Sequence, residues 1–553
     1  MKQKGWIAGG ILVLLALAAM AYFWATGLFA SLEAYRSPLH ASPPQAGPAL
    51  GQPATRRVVF VLIDALRADT AQNAEVMPTL AKLRAQGASA TDHSQPPSYS
   101  EPGYSVLLTG AWPELSDGPA VNLDYADIPT FTQDNLFSAA HRAGLQTAVS
   151  GYYWFEKLIP QSAVDLSFYT PGEDRVADRA VVDAALPWLA GDQAQLVLVH
   201  IDQVDYAGHH EGGAKSPAWN EAARRADDLL AEIVAQLDLS QDTLLVTSDH
   251  GQIDAGGHGG DDPVVLVEPF VLVGAGVKPG SYPDIQMVDI APTLAALLGT
   301  NLPASTQGQV LTDMLDLPEQ TLAALPAATQ AQQTALLKAY SAGMGVAAPA
   351  VAGTDVAAYQ AAIASIRADR IACERLPRIG LAVVLGLIPL VMLFLKRRSG
   401  TAWFLGGAIL FQALFHFRYA FLDGKVYSLS GITSQADFTS YIVTTGGIAL
   451  VISWTVIMLA SGLLRRGPAA AARGTLALAL TTAYLLLIPI LYHFALNGAV
   501  VTGFLPEMAP AFMALLSLVA LIIVSAGGLL LTGLAALLAT RSQPENNRME
   551  GSI

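Results

Sequence analysis

The chain has 553 residues, 52% hydrophobic and only 14% charged, a balance too apolar for an ordinary soluble protein, so part of it must lie in lipid. Its formal net charge of −14, with no basic stripe to track a polyanion, excludes nucleic-acid binding as the main activity. A single cysteine, Cys373, excludes an intrachain disulfide, and with no catalytic pattern around it reads as an inert thiol.

Lys2 and Lys4 precede an uncharged apolar run from Trp6 to about Ala30. Secretory apolar regions run to about 7–15 residues, whereas this one is long enough to cross a hydrocarbon core of about 30 Å. Residues 1–35 therefore read as a transmembrane signal anchor, with cleavage near Ala30 as the alternative. Residues 36–56, rich in Pro, Ala and Gly, read as a linker. From 57 to 316 strand-like and helix-like segments alternate, the pattern of an α/β domain whose mainly parallel sheet is sandwiched by helices. Three continuous apolar runs suit strands buried on both faces: VVFVLID to Asp64, LVLVHID to Asp202 with Asp205 just beyond, and TLLVTSD to Asp249. Ligands of such sheets gather beyond the carboxyl ends of the strands, so the three acidic clusters are expected to converge. Helices are expected at 135–143, 218–237 and 290–298.

Residues 317–377 comprise an Ala-, Gln- and Leu-rich linker and an amphipathic helix at 354–375 leading towards the membrane. Five apolar segments follow within 378–540, near 379–395, 402–421, 441–464, 474–496 and 509–539. Lys396, Arg397 and Arg398, then Arg465, Arg466 and Arg473, then Arg541 fall at every second boundary, on the side of Lys2 and Lys4. Six spans then put both termini, with the tail 541–553, in the cytoplasm and the α/β domain outside it; the Ala-rich, cysteine-poor composition suits the plasma membrane of a prokaryote. His416, Arg418 and His493 are the ionisable residues of the spans, read as helix-end snorkelling and structural hydrogen bonding or as lipid-headgroup contacts.

The stretch 246–262, VTSDHGQIDAGGHGGDD, ends a strand in Asp249 and His250 and continues in a glycine-rich loop carrying His258, a pattern suited to a metal. Asp205 and His209 stand one helical turn apart and can face one ion. His210 points elsewhere on that helix, His200 inside its strand reads as a satisfied core residue, and Asp202 as a cap or an acceptor behind a ligand. A metal-dependent site also needs a nucleophile, and Ser100 in PPSYSEPGYSVLLTG is the candidate. Pro102 is tolerated in a first turn, so Ser100 is expected to cap a helix running to Thr109, where the dipole's positive end favours an alkoxide and a bound phosphate. Arg67, just past Asp64, reads as a bidentate phosphate clamp or as an ion-paired arginine. Tyr152, Tyr153 and Trp154 wall a substrate pocket or belong to the core.

These residues resemble the alkaline phosphatase superfamily, specifically its type I phosphodiesterase branch and the membrane-bound glycosylphosphatidylinositol ethanolamine phosphate transferases. The resemblance covers nearly the whole of 57–316: LIDALRAD at 62–69, S-x-P-x-x-x-x-x-L-T-G at 100–110, D-x-x-G-H at 205–209, SDHG at 248–251, GGHGGD at 256–261 and MVDIAPTLAALLG at 287–299. It implies an alkaline-phosphatase-like fold with two zinc ions, one on Asp64, Ser100, Asp249 and His250, the other on Asp205, His209 and His258, with Mn²⁺ also compatible. Those enzymes usually carry threonine where Ser100 stands, and either hydroxyl suits the chemistry. Asn122 matches a position at which the family places an amide near the transferring phosphoryl group; an ordinary loop asparagine is the alternative. Sulfatases share the superfamily, but their nucleophile is followed by Pro and Arg, and Gly103 and Tyr104 occupy that stretch here.

The function implied is that of a phosphotransferase moving a phosphoethanolamine-like substituent from a phospholipid or other phosphodiester donor to a lipid or glycan hydroxyl through a phosphoseryl intermediate. A phosphodiesterase or nucleotide pyrophosphatase, with water as acceptor, is the alternative, and a lipid-binding or transport protein with an inactive headpiece is a third reading. Five trailing spans are fewer than those transferases usually carry, which weakens the case for their glycolipid acceptor.

Overall fold

The computed structural model describes residues 2–395, 401–432 and 434–541. One sheet holds β1 (Arg57–Ile63), β2 (Ala88–His93), β3 (Thr147–Tyr152), β4 (Leu166–Thr170), β5 (Leu196–Ile201), β6 (Asp242–Thr247), β7 (Val267–Gly274), β8 (Gly280–Ser281) and β9 (Ile285–Gln286). Their order is β4-β3-β5-β1-β6-β7-β2-β8, with β9 beside β2. The run from β4 to β6 is parallel, while β7 is antiparallel to both β6 and β2. The sheet is thus mainly parallel, as the pattern of apolar runs implied.

β1 lies between β5 and β6, with Leu62 level with His200 on one side and Thr247 on the other. The three runs that end in acids are therefore adjacent central strands. Their unbroken apolarity follows from burial on both faces: Val58, Phe60 and Leu62 join one core, Val59, Val61 and Ile63 the other. Leu107 and Leu294 pack into the first from helices Ser100–Thr109 and Ile290–Leu298, and Val181 and Leu230 into the second from Arg175–Ala190 and Pro217–Val234. The other expected helix spans Leu136–Arg142, capped by Asn135, whose Oδ1 accepts the Ser138 N–H at 2.9 Å. The stretch 36–56 has no regular structure beyond turns, but it is strapped to the domain: the Ser37 N–H donates to Asp117 at 3.1 Å and the Gly51 N–H to Gly299 O at 3.1 Å.

Where β2 meets β7, Asp92 stands opposite Glu268 and both are fully buried. Burial, with the charge of Asp289 added, holds Asp92 well above the usual carboxylate range; burial, with Asp92 added, does the same to Glu268. Ser94 Oγ donates to Glu268 at 2.7 Å, whereas neither carboxylate oxygen of Asp92 has a partner. A folded-state pKa raised in this way contributes stability that is complete below the unfolded value of about 4 and is lost as pH rises through the folded value. Asp92→Asn removes that loss. The variant is expected to unfold near the parent's midpoint at pH 4 and a few degrees above it at pH 8; a difference independent of pH would contradict the assignment.

Five helices are long and apolar enough to cross a membrane among the described residues: Gly5–Glu33, Thr401–Leu422, Gln435–Ser461, Pro468–Asn497 and Met508–Arg541. These helices mark the chain as an integral membrane protein. The segment expected to span at 379–395 forms the apolar end of one continuous helix, Val356–Leu395, that also contains the amphipathic stretch. Lys396, Arg397 and Arg398, on which its sidedness rested, lie outside the described residues. The amino-terminal helix is part of the bundle, since Leu14 packs with Leu476 and Ala479, and Ala21 with Phe411 and Phe512.

Candidate active site

The carboxyl ends of β1, β5 and β6 deliver Asp64, Asp202 and Asp249 to one edge, with Asp205 and His209 on the helix Gln203–His210 that follows β5. Immediately after Asp64 the backbone turns sharply, Ala65 lying in the left-handed region at φ 57°, a strained conformation for a residue with a Cβ. That turn points the Ala65 N–H at Asp249 Oδ1, 3.3 Å away, and so ties the end of β1 to the end of β6.

Ser100 was expected to cap its helix. The cap is Tyr99, and Ser100 is the first helical residue, its Oγ engaged by His250 Nε2 at 3.2 Å rather than by a backbone amide. The helix approaches β6 closely: a Cβ on Gly103 would stand 2.9 Å from both Cβ and O of Asp249, so glycine is required there. This contact sets Ser100 beside the carboxylates.

Two groups of ligand atoms result. His250 Nε2 lies 3.2 Å from Ser100 Oγ, 3.3 Å from Asp249 Oδ2 and 3.5 Å from Asp64 Oδ1. In the second group, His209 Nε2 and His258 Nε2 face each other at 2.9 Å, with Asp205 oxygens 3.5 and 3.6 Å away. Four ligand atoms about 2.0–2.1 Å from a tetrahedral zinc stand about 3.3 Å apart, which is the spacing seen here. Asp64 Oδ1 and Asp249 Oδ2 are buried without a hydrogen-bond partner, as oxygens reserved for a cation would be. The donors fit a pair of metal ions. The His250 and His258 rings stack at 3.9 Å, so the groups adjoin, and Asp205, His250 and His258 also satisfy a metal spacing among themselves.

Electrostatics say the same. Burial first, then the charge of Asp205, lifts Asp64 well above the usual carboxylate range, and burial with the charge of Asp64 lifts Asp249. Burial pushes Asp205 up as well, but His209, His258 and His250 outweigh it and leave Asp205 below its ordinary value. Burial pushes the His250 imidazole down to about 4 and takes His258 well below its usual value, keeping both neutral and able to ligate. Their other ring nitrogens are fixed by backbone, His250 Nδ1 by Gly251 O at 3.0 Å and His258 Nδ1 by Ser98 O at 3.1 Å. On the loop between them Gly256 has φ +86°, and a Cβ there would lie 2.1 Å from Gly208 O, next to His209.

Arg67 is ion-paired, the second of its two readings: its guanidinium donates to Asp69 at 3.0 and 2.6 Å, to Asp254 at 2.7 Å and to Gln252 O at 3.2 Å, so four of its five N–H groups are engaged and two of them hold the 252–254 loop. Asn122 does reach the nucleophile's helix: its Oδ1 accepts the Glu101 N–H at 3.0 Å, while its amide N–H₂ has no hydrogen bond among the described residues. Glu101 returns the contact by accepting the Leu123 N–H at 3.2 Å, and burial pushes its carboxyl up to about 9. Tyr153 stacks on Tyr125 at 4.7 Å and Tyr152 donates to Glu173, an aromatic cluster at the carboxyl end of β3. His210 is exposed.

Sequence reasoning missed two residues. Tyr104 donates to Asp64 Oδ2, and His200 Nε2 stands 3.1 Å from the same oxygen and 3.0 Å from the Tyr104 hydroxyl. With Oδ2 held this way, Oδ1 is turned towards His250. Asp202 occupies the N-cap position of the helix Gln203–His210 without a capping hydrogen bond from its side chain, which stands with Asp64 and His200 within ligand spacing. The i, i+4 offset of Tyr104 from Ser100 was the available signal, since it puts both on one helix face. Tyr104→Phe, which keeps the stacking on Phe155, is expected to lower zinc affinity or turnover about 10- to 100-fold with little change in unfolding midpoint; full zinc affinity and turnover in that variant would rule the role out.

A mainly parallel sheet with a helix-borne serine and two carboxylate–imidazole groups at its carboxyl edge is the arrangement that the resemblance to the alkaline phosphatase superfamily implied. The chain belongs to the type I phosphodiesterase / nucleotide pyrophosphatase family, whose model matches residues 58–115 and 124–342. Among curated proteins it is similar to the GPI ethanolamine phosphate transferase 3 catalytic subunit of Mus musculus, 27% identical over 286 residues, 47% of this chain and 26% of that one. The GPI ethanolamine phosphate transferase 2 catalytic subunit of Homo sapiens is 27% identical over 300 residues, 49% of this chain and 30% of that one. The match thus spans about a quarter to a third of those relatives' length. Among solved structures, murine ectonucleotide pyrophosphatase / phosphodiesterase 5 in complex with AMP aligns with a TM-score of 0.40 and 15% identity, over 48% of this chain and 100% of that one. The alkaline phosphatase PafA aligns with a TM-score of 0.37 and 12% identity, over 48% and 99%.

Proposed function

We propose that the chain is a membrane-embedded, zinc-dependent phosphotransferase that moves a phosphoethanolamine-like substituent from a phosphodiester donor to a lipid or glycan hydroxyl. The observation that carries this reading is Ser100 Oγ, 3.2 Å from His250 Nε2 at the start of a helix, beside the partnerless oxygens of Asp64 and Asp249. Asp64, Ser100, Asp249 and His250 would hold one zinc ion and Asp205, His209 and His258 the other, and zinc there would lower the hydroxyl's pKa and offset charge on the entering and leaving oxygens.

Ser100 attacks phosphorus, forming a serine–phosphorus bond as the donor's bond to its alcohol breaks; the serine proton is lost and the leaving alcohol gains one. The acceptor hydroxyl then displaces Ser100 by the same displacement in reverse. The amino end of the Ser100–Thr109 helix favours the negative phosphoryl group, and Asn122, anchored through Glu101, turns its free amide to the equatorial oxygens.

Transfer is favoured over hydrolysis by the relatives' names and by the bundle's direct contact with the loop that carries His258. In this reading residues 57–316 form the catalytic domain and face the extracytoplasmic side of a prokaryotic plasma membrane, with both termini cytoplasmic. The loop bearing Arg465 and Arg466 supports this, since the Gln435–Ser461 helix separates it from the end of the bundle that meets the catalytic domain. The test is mass spectrometry of lipids and envelope glycans from cells with and without the gene. A phospho-substituent missing from a lipid or glycan without the gene supports transfer; accumulation of an uncleaved phosphodiester, with every substituent present, would favour hydrolysis.

A further inference from the structure

The loop that carries His258 does not end within the catalytic domain. Ser98 clamps its first part: Ser98 O meets His258 Nδ1 at 3.1 Å, Ser98 Oγ accepts the Gly259 N–H at 3.0 Å and donates to Gly260 O at 2.8 Å. The next amide, Gly260 N–H, leaves the domain and donates to Ser430 Oγ at 3.1 Å. Ser430 belongs to the loop between the membrane helices Thr401–His416 and Gln435–Ser461. Ser428 Oγ lies so close that a Cβ on Gly260 would stand 1.8 Å from it, and Ser430 Oγ 2.8 Å away. Both serines are buried although they sit in an interhelical loop.

That loop is itself held firmly by the bundle. Leu429, between the serines, packs in the membrane core with Phe415 and Tyr419. Tyr419 donates to Val426 O at 2.8 Å and stacks on Tyr427 at 4.9 Å, and the Tyr427 hydroxyl meets His416 Nδ1 at 2.8 Å. The helix turns leading into the loop, Phe417–Leu422, are π-helical, a rare conformation that is frequent at functional sites.

From this contact we infer that the membrane bundle completes the second metal centre: Ser430, supported by Ser428, is a positioning residue that holds the His258 loop through Gly260. Three hydrogen bonds link the imidazole to the bundle: His258 Nδ1 with Ser98 O, Ser98 Oγ with Gly260 O, and Gly260 N–H with Ser430 Oγ. The bundle is then part of the active site's framework as well as an anchor, and a catalytic domain freed from it would lose hold of one zinc ion before the other. This rests on the assignment of His258, with Asp205 and His209, to a zinc site.

The test uses the full chain in detergent, with zinc itself as the probe, counting zinc per chain during exposure to a chelator and following phosphodiester turnover in parallel. In Ser430→Ala the Gly260 N–H loses its acceptor, and one of the two zinc ions is expected to leave about tenfold faster than in the parent, the other at the parent's rate. Ser430→Thr keeps the hydroxyl and is expected to restore retention. Gly260→Ala is expected to show the same selective loss, partly suppressed when combined with Ser428→Ala, which removes the oxygen its Cβ would strike. A uniformly destabilised fold would shed both ions together, in no relation to the hydroxyl. If the parent holds two zinc ions and Ser430→Ala keeps both at the parent's rate, this inference is overturned and the metal reading stands; a parent chain that holds no zinc overturns both.

Discussion

Ser100→Ala is expected to lower phosphodiester turnover by about 10⁴-fold or more, as loss of a catalytic nucleophile does elsewhere. Zinc content and unfolding midpoint should stay at the parent's values. The side chain removed is small and its Oγ has one partner, His250 Nε2, so truncation leaves almost no cavity. Asp64, Asp249 and His250 remain to hold the ion, and the helix keeps its start because the cap is Tyr99. Ser100→Thr, which retains a hydroxyl in the same place, is expected to keep turnover within about tenfold of the parent. The contrast matters more than either variant alone: it separates loss of a nucleophile from loss of packing against Asp249. Parent-level turnover in purified Ser100→Ala would sink the covalent mechanism.

The parts of this site legible in the sequence were those whose chemistry and periodicity coincide. Asp64, Asp202 and Asp249 end runs apolar enough to be buried on both faces, and such strands pack side by side, so their convergence followed from the pattern. Asp205 and His209 share a helix face at i, i+4 and could be paired for that reason alone. What could not be read were contacts between segments distant in the chain. Arg67 was open to an ion-paired reading, and one partner, Asp69, stands two residues on; the other, Asp254, lies nearly two hundred residues away and is brought near by the turn after β6. His200 was correctly expected to be satisfied in its strand, but the partner that satisfies it is Asp64, which turns a core histidine into a brace for the metal site. Ser428 and Ser430 carry no motif, and only the seating of the bundle against the Gly260 loop gives them meaning. The membrane segments were legible by hydropathy, but the continuity of Val356–Leu395, which joins the amphipathic stretch to the apolar one in a single helix, was not.

Removal of divalent metal by exhaustive chelation is expected to abolish turnover and lower the unfolding midpoint of the catalytic domain by roughly 10 °C, with zinc restoring both. Asp64, Asp249 and His250 are almost wholly buried, and two carboxylate oxygens there have no protein partner. A buried, unpaired carboxylate costs several kcal/mol, so the empty site must either take up protons or bear repulsion that the ion otherwise offsets. The loss should come in two phases. The side chains of His209 and Asp205 are 22% and 16% exposed, against 2% or less for Asp64, Asp249 and His250, so solvent and chelator reach the second group first. Turnover should fall with that first phase, since the displacement needs charge offset on the entering and leaving oxygens together, while most of the drop in midpoint should wait for the second, when the partnerless oxygens of Asp64 and Asp249 are exposed to each other. Metal that leaves in a single phase, or a midpoint indifferent to zinc, would show that the two groups do not act as separate centres.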